Sequence, residues 1–232
     1  MSLLTCPVCG TQEESENILM CNSCHHVFRN YPEVNLQKYY SEEYRQEDSN
    51  KQLSLEVYDQ RNGFILSQIS PFISEDSSVF EVGFGYGYFH KKLTQVYPLI
   101  NYQCCELSTA LADENVSKGI NTYKGSFVDV PKPTERYDMV CSFDVLEHFY
   151  DPKTYVSKLH QILKKGGYAV IQVPTARSIH FEDKFDGHYH YFSKQSLTML
   201  MGPGFENVFF YRTSPGETAG GMELLTIFRK VV

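Results

Sequence analysis

The sequence has 232 residues, of which 42% are hydrophobic and 21% charged, and its formal net charge is −7. This length accommodates one α/β domain with a small additional module, and the acidic balance argues against a nucleic acid as the main partner. No apolar stretch approaches the roughly 20 residues of a membrane span, and the N-terminus lacks the basic and apolar regions of a signal peptide. We therefore expect neither a nucleic-acid nor a membrane partner.

Two Cys-x-x-Cys pairs lie near the N-terminus and give the candidate metal ligands Cys6, Cys9, Cys21 and Cys24. Each pair places two thiolates on one tight turn, and two such turns supply the closed tetrahedral sulfur set that structural Zn²⁺ prefers. A redox role is an alternative for a single pair, but the second pair favours a zinc ribbon over residues 1–30. Because the chain has seven cysteines and these pairs need reduced thiols, we expect a cytoplasmic protein.

The predicted ribbon contains a short hairpin. Apolar segments predict strands at 17–20 and 27–28, and the polar stretch 11–16 is expected to be a turn. His25 and His26 follow the second cysteine pair, and we expect both to face solvent rather than bind the metal.

Residues 31–52 form a tyrosine-rich connector, and a domain over 53–232 follows it. Helical spacing of apolar residues predicts a helix over 53–70, which Pro71 ends. We then predict strands at 79–82, 102–106, 121–123, 138–143, 168–173, 208–212 and 223–230, and helices at 88–96, 109–118, 153–163 and 194–201. The Lys-Lys-Gly-Gly stretch 164–167 is typical of a helix end. This alternation predicts a mostly parallel sheet with helices on both faces and a terminal antiparallel hairpin, although it also allows a flavodoxin-like fold.

The first strand of this domain runs directly into three glycines, Gly83, Gly85 and Gly87. Glycine adopts a positive φ and lets a ligand approach the backbone closely, and a strand, loop and helix in this order bind nucleotides in α/β folds. The dinucleotide fingerprint needs a further glycine at position 88. That position is Tyr88, so a dinucleotide is not the expected ligand.

Two segments carry a family resemblance. The segment Glu81-x-Gly-x-Gly-x-Gly resembles the first motif of class I S-adenosylmethionine-dependent methyltransferases. The segment 142–152, which contains Asp144, Glu147 and His148, resembles the Asp-Val-Leu-Glu-His-x-x-Asp-Pro motif that follows the fourth strand in that family. The resemblance implies a doubly wound, Rossmann-like, seven-stranded sheet and S-adenosylmethionine as the cofactor.

The resemblance also assigns the cofactor site. Glu106 ends the second strand and would accept hydrogen bonds from the ribose, while Phe143 would lie beside the methionine part. The stretch 125–131 resembles the family's Gly-Asp-Ala-x-Asp-Leu-Pro segment, with Ser126 in place of the acid that accepts from adenine and with Phe127 covering the ring. The implied cofactor-binding residues are Glu81, Gly83, Phe84, Gly85, Gly87, Glu106, Leu107, Ser126, Phe127, Phe143 and Asp144.

A long aromatic and histidine-rich connection, residues 174–193, follows the fifth main strand, where substrates enter such folds. Its end, from His188 to Ser193, resembles the His-x-x-x-Phe-[Ser/Thr] segment of sugar, quinone and small-metabolite methyltransferases. His188 and His148 are therefore the candidate catalytic bases, and His190 is an alternative to His188. A histidine that only anchors the loop to the backbone is the other interpretation.

The ribbon and the domain together resemble bacterial sugar methyltransferases. Relatives that methylate carbon carry a further C-terminal domain, so the resemblance favours methylation of oxygen or nitrogen on a small molecule, such as a nucleotide-sugar or a surface-polysaccharide precursor. A quinone-type O-methyltransferase is one alternative. A non-catalytic cofactor-binding module, with the ribbon as a protein-interaction domain, is another. A homo-oligomer is compatible with each of them.

Overall fold

The computed structural model describes residues 2–42, 54–175, 187–213 and 223–232. Outside the described residues lie parts of three predicted segments: the connector, the connection 174–193 and the final hairpin turn. The strands are β1 (Ser2–Thr5), β2 (Gln12–Ser15), β3 (Ile18–Met20), β4 (Val27–Arg29), β5 (Ser78–Val82), β6 (Asn101–Glu106), β7 (Thr122–Lys124), β8 (Tyr137–Phe143), β9 (Leu163–Pro174), β10 (His190–Tyr191), β11 (Phe205–Arg212) and β12 (Glu223–Lys230). The α-helices are α1 (Leu36–Glu42), α2 (Ser54–Ile69), α3 (Tyr88–Val96), α4 (Thr109–Ser117), α5 (Pro152–Ile162) and α6 (Lys194–Met201).

A seven-stranded sheet in the order β11-β12-β9-β8-β5-β6-β7 forms the centre of the molecule. Strands β7, β6, β5, β8 and β9 are parallel, while β12 runs antiparallel to both of its neighbours. The predicted doubly wound sheet and its terminal hairpin are therefore confirmed. The chain leaves β5 in one direction to β6 and later returns to β8 on the other side, and ligands of open α/β sheets bind at such a switch point.

Alternating side chains of the central strands fill two separate hydrophobic cores. Phe80 and Val140 face a core that includes Tyr155 of α5. Val79 and Met139 face the opposite core, which includes Ile65 of α2 and Leu93 of α3. Side chains of a strand alternate between its two faces, so helices cover the sheet on both sides. The apolar runs of the sequence reflect this double burial.

Three local predictions differ from the structure. Residues 12–15, expected to be a turn, form β2 and pair with β1 from Ser2↔Ser15 to Thr5↔Gln12. The connector contains the helix α1. The stretch 164–167, expected to end a helix, lies inside β9. Leu163 of β9 pairs with Tyr137 of β8, and the pairing resumes only at Tyr168 with Met139. The chain bulges between these pairs, with Gly166 at a φ of +80°.

The three-stranded sheet of the N-terminal ribbon includes one strand from a distant part of the sequence. Strands β3 and β4 pair as predicted, but β10 adds a third strand on the free side of β4. His26 is completely buried, so the expectation that it faces solvent is wrong, whereas His25 is exposed as expected.

None of the described helices is both long and apolar enough to cross a membrane.

Candidate cofactor and acceptor site

The glycine loop joins β5 to α3 at the carboxyl edge of the sheet. Gly83, Gly85 and Gly87 have φ angles of +72°, +54° and +74°, a region that side chains rarely adopt. The amides of Gly83 and Phe84 donate to the Cys105 carbonyl oxygen at 3.0 and 3.2 Å, which ties the loop to β6. All three glycines are therefore required by the backbone conformation.

The three glycines differ in what surrounds them. A Cβ at Gly83 would lie 2.6 Å from Val145 Cγ2, and one at Gly87 would lie 2.5 Å from the Phe84 ring. A Cβ at Gly85 would meet no described atom within 4 Å. Gly83 and Gly87 are thus constrained by neighbouring protein atoms, whereas Gly85 borders open space that a ligand can occupy.

The side chain of Glu106, at the end of β6, is hydrogen bonded to this loop. Its Oε2 accepts a hydrogen bond from the Gly85 amide at 2.8 Å and its Oε1 accepts one from the Ser108 amide at 2.8 Å. Burial raises the pKa of the Glu106 carboxyl. A carboxylate offers about four acceptor positions, so Glu106 can support the loop and still accept from a diol. Leu107, the next predicted contact, is half-buried beside it.

Glu81 is buried beneath the loop rather than exposed to a ligand. Its side chain accepts a hydrogen bond from the Tyr102 hydroxyl. Burial raises the pKa of Glu81 to about 8, so the group is largely a neutral acid at neutral pH. The hydrogen bond with Tyr102 joins β5 to β6 next to the loop, and the predicted contact of Glu81 with a cofactor stays a prediction.

Asp144 follows β8 at the same edge of the sheet and has a φ of +58°. Its amide donates to the Gln172 carbonyl oxygen at 3.0 Å, and its Oδ2 accepts from Arg61 at 2.9 Å. The Arg61 guanidinium also lies 5.8 Å from the centre of the Phe143 ring. Sequence reasoning missed Arg61. Arg61 is the single arginine of helix α2, and a lone arginine is too common on helices to indicate a site.

After β7, Ser126 is the N-cap residue of a 3₁₀ turn, Phe127–Asp129. Phe127 is only 2% exposed, and its ring packs 5.1 Å from that of Tyr155 and 6.0 Å from that of Phe80. The Phe127 ring therefore fills the core, and the expectation that it covers an adenine stays a prediction. The backbone carbonyl oxygen of Phe127 accepts a hydrogen bond from the Val130 amide at 3.2 Å, and the predicted backbone contact with the cofactor would come from its N–H.

Two histidines meet just beyond the carboxyl end of β8. The His148 and His188 rings lie 4.7 Å apart, edge to face. His148 Nδ1 lies 2.8 Å from the Gly187 carbonyl oxygen, and its Nε2 lies 3.9 Å from Glu147 Oε1. A carbonyl only accepts, so Nδ1 carries the proton and Nε2 of the neutral ring is the basic atom. The Glu147, His148 and His188 ligand atoms lie within 4.8 Å of one another, a spacing that could also hold a cation.

His190, the alternative base, has a different role. It is buried, its Nε2 lies 2.8 Å from the Phe149 carbonyl oxygen, and its Nδ1 lies 3.1 Å from His26 Nε2. Burial lowers the pKa of His190 to about 4. Since both ring nitrogens are engaged inside the protein, His190 is an anchor and not a base.

The four N-terminal cysteines converge as a metal site requires. The Sγ atoms of Cys6 and Cys24 are 3.7 Å apart, and those of Cys9 and Cys21 are 3.5 Å apart. Four sulfurs at about 2.3 Å from a tetrahedral Zn²⁺ lie roughly 3.8 Å from one another. Burial raises the pKa of the Cys6 thiol to about 11, and a bound cation would compensate its thiolate. These residues therefore fit a zinc ion.

Comparison with known proteins gives one family match and two short curated matches. A family profile described as a methyltransferase domain matches residues 56–208. The 2-methyl-6-phytyl-1,4-hydroquinone methyltransferase 1 of Oryza sativa subsp. japonica is 26% identical over 99 residues, which is 42% of this chain and 30% of that protein. A probable S-adenosylmethionine-dependent methyltransferase of Mycolicibacterium smegmatis is 32% identical over 50 residues, 22% of this chain. The aligned part spans 30% and 20% of these two relatives.

Solved structures show the same fold at low sequence identity. The 1,6-didemethyltoxoflavin-N1-methyltransferase of Burkholderia thailandensis, solved with bound 1,6-didemethyltoxoflavin and S-adenosylhomocysteine, is 15% identical with a TM-score of 0.65, covering 94% of this chain and 100% of that one. The N-methyltransferase NodS of Bradyrhizobium japonicum is 15% identical with a TM-score of 0.62, covering 84% and 96%. The [4+2]-cyclase SpnF is 15% identical with a TM-score of 0.61, covering 75% and 81%.

Proposed function

The chain belongs to the methyltransferase-domain family, and from this we propose that it transfers the methyl group of S-adenosylmethionine to an oxygen or nitrogen atom of a small molecule. One observation carries the proposal: of the three loop glycines, Gly85 alone borders open space, and its amide is hydrogen bonded to the Glu106 carboxylate. A ligand with a ribose and an extended tail needs both a close backbone approach and an acidic acceptor at the end of the second strand.

Several residues at this edge would hold the cofactor. Glu106 would accept from the ribose hydroxyls, and the Arg61–Asp144 ion pair at 2.9 Å places both charges beside Phe143, where the amino-acid tail is expected. Asp144 would accept from the ammonium group of that tail, while Arg61 would pair with its carboxylate. When bound, S-adenosylmethionine supplies an activated methyl group for in-line displacement. The protein therefore contributes mainly position and the exclusion of water.

The histidine pair would act on the acceptor. With the His148 Nδ1 proton held by the Gly187 carbonyl oxygen, the rings of His148 and His188 offer a basic nitrogen at the acceptor side. We assign His188 as the residue that removes the acceptor proton and His148 as its neighbour that restrains it. This help matters for a hydroxyl acceptor, which loses a proton on methylation.

The acceptor itself is a small metabolite in this proposal. A nucleotide-sugar or a surface-polysaccharide precursor is the first candidate, and a hydroquinone is the second, since one of the curated relatives is a hydroquinone methyltransferase. A third candidate is a cofactor-binding protein without methyl transfer. The [4+2]-cyclase among the structural neighbours illustrates that one fold hosts different reactions.

Methyl-labelled S-adenosylmethionine tests the proposal directly. The purified protein is incubated with separate panels of nucleotide-sugars, hydroquinones and small amines, and labelled product is separated from the cofactor. Gly85→Ala serves as the control for cofactor-dependent transfer. Label in one panel with the native protein but not with the control supports the proposal. Binding of the cofactor without transfer to an acceptor of any class would favour the non-catalytic alternative.

A further inference from the structure

The end of the acceptor-side connection is a strand of the ribbon. His190 and Tyr191 of β10 pair antiparallel with Phe28 and Val27 of β4. The Arg29 amide extends this ladder by donating to the Tyr189 carbonyl oxygen at 2.9 Å. A segment that leaves the carboxyl edge of the catalytic sheet thus completes a sheet that begins at residue 18, next to the cysteine site.

A buried histidine pair joins the two parts beneath this ladder. The Phe149 carbonyl oxygen accepts from His190 Nε2 at 2.8 Å, so this nitrogen carries the proton and Nδ1 is the acceptor of the neutral ring. His26 Nε2, 3.1 Å from that Nδ1, must therefore be the donor. The Phe192 ring lies 4.8 Å from the His26 ring and helps to exclude water. Losing the His26 donor would leave a buried acceptor unsatisfied, which is costly.

The start of helix α6 is attached to the second cysteine turn. Ser193, the N-cap residue, donates from Oγ to the Cys24 carbonyl oxygen at 3.0 Å, and Gln195 donates to the Ser23 carbonyl oxygen at 2.9 Å. Ser193 also forms a capping box with Ser196. The backbone of a predicted zinc ligand is therefore bonded to the residue at which the connection ends.

These contacts lie next to the acceptor-side histidines. His188 is two residues before His190, and its ring lies 5.8 Å from that of Tyr191 in β10. The intervening Tyr189 amide donates to the Glu147 carbonyl oxygen at 2.9 Å, which connects the segment to the residue beside His148. A shift of β10 relative to β4 must therefore move His188.

We propose that the ribbon is a part of the acceptor site: it holds segment 187–193 in position, so that the folded, metal-loaded ribbon governs acceptor binding while cofactor binding is independent of it. His26 and His190 are the positioning residues of this coupling. The inference rests on the proposed function in one respect, namely that His188 faces the acceptor. Among the described residues, the glycine loop and Glu106 form hydrogen bonds with one another, with Cys105 and with Ser108 rather than with the ribbon, and this is the basis for the independence.

Hydrogen exchange of the full chain tests the coupling without knowledge of the acceptor. His26→Leu removes the donor while the four cysteines remain, His26→Gln restores an N–H donor, and His25→Asn is the matched control, because His25 is exposed and its φ of +56° is one that asparagine tolerates. Exchange is read by mass spectrometry at segments 187–193 and 78–87. Calorimetry with S-adenosylhomocysteine and zinc analysis are run on the same samples.

In His26→Leu we expect exchange of segment 187–193 to accelerate by at least roughly fivefold, the factor for the low end of the cost of an unsatisfied buried acceptor. His26→Gln should recover most of this protection, and His25→Asn should match the native protein. Segment 78–87 and the affinity for S-adenosylhomocysteine should stay within about twofold of the native protein. Removal of zinc with a chelator should reproduce the His26→Leu pattern.

Two results would overturn the proposal. One is unchanged exchange of segment 187–193 in His26→Leu and in the zinc-free protein. The other is an equal loss of protection in segment 78–87, which would mean that the ribbon stabilises the whole chain without selecting the acceptor side. Failure of the proposed function looks different, because the native protein itself would then not bind S-adenosylhomocysteine.

Discussion

Substitutions at the loop glycines can distinguish an effect on the free energy of unfolding from an effect on cofactor affinity. Gly85→Ala and Gly119→Ala both introduce a side chain at a positive φ, +54° and +79°, and both would place the Cβ in open space. Gly119 follows helix α4, away from the site. A left-handed backbone costs an alanine about 1–2 kcal/mol, so both variants should lose a similar free energy of unfolding. Gly83→Ala adds an overlap with Val145 Cγ2 at 2.6 Å and should lose about 1–3 kcal/mol more.

Cofactor affinity should follow a different order from stability. The added methyl group of Gly85→Ala would fill the space that we assign to the cofactor, so its affinity for S-adenosylhomocysteine should fall at least tenfold, which corresponds to about 1.4 kcal/mol. Gly119→Ala should bind like the native protein. Urea denaturation measures the stability of each variant, and calorimetry measures its affinity. Native affinity in Gly85→Ala would show that the cofactor does not pass over this glycine, and the site would have to lie elsewhere.

Three further predictions concern a buried acid, the metal and the histidines. The folded-state pKa of Glu81, about 8, lies above the ordinary value of 4.5, so the folded chain holds an extra proton in that pH interval. The free energy of unfolding of the chain should therefore fall as the pH rises from about 4.5 to 8. Glu81→Gln should remove this decline in pH-dependent urea titrations. Elemental analysis should find one zinc per chain and loss of that zinc in Cys21→Ser; a second equivalent that survives in Cys21→Ser would point instead to the Glu147, His148 and His188 cluster. His188→Ala should reduce turnover by about 10²–10⁴ while S-adenosylhomocysteine affinity is retained. Retained turnover with weaker acceptor binding would make His188 an anchor.

Much of the fold was predictable because its signals are local. Buried parallel strands read as short apolar runs, and helices α3 and α6 begin and end where the sequence predicted them. The glycine loop was recognisable because a positive φ at Gly83, Gly85 and Gly87 requires that residue type. The cysteine cluster was predictable for a similar reason, since the spacing within each pair sets the geometry of its turn.

The remaining features depend on contacts between distant segments. Strand β10 has only two residues, and it forms because β4, more than 150 positions earlier in the sequence, offers a free edge. His26 is buried for the same reason, and no periodicity around it could have indicated the His190 partner. The Arg61–Asp144 pair joins α2 to the end of β8, and the length of β9 depends on its bulge against β8.

Occupation of the glycine-loop site by S-adenosylmethionine is the central claim, and calorimetric titration of the native chain tests it most directly. We predict one S-adenosylmethionine or S-adenosylhomocysteine bound per chain, with the affinity lowered at least tenfold in Gly85→Ala. We predict no detectable binding of NAD, because Tyr88 occupies the position of the third dinucleotide glycine. Binding of NAD in preference to S-adenosylmethionine, or of neither, would contradict the account.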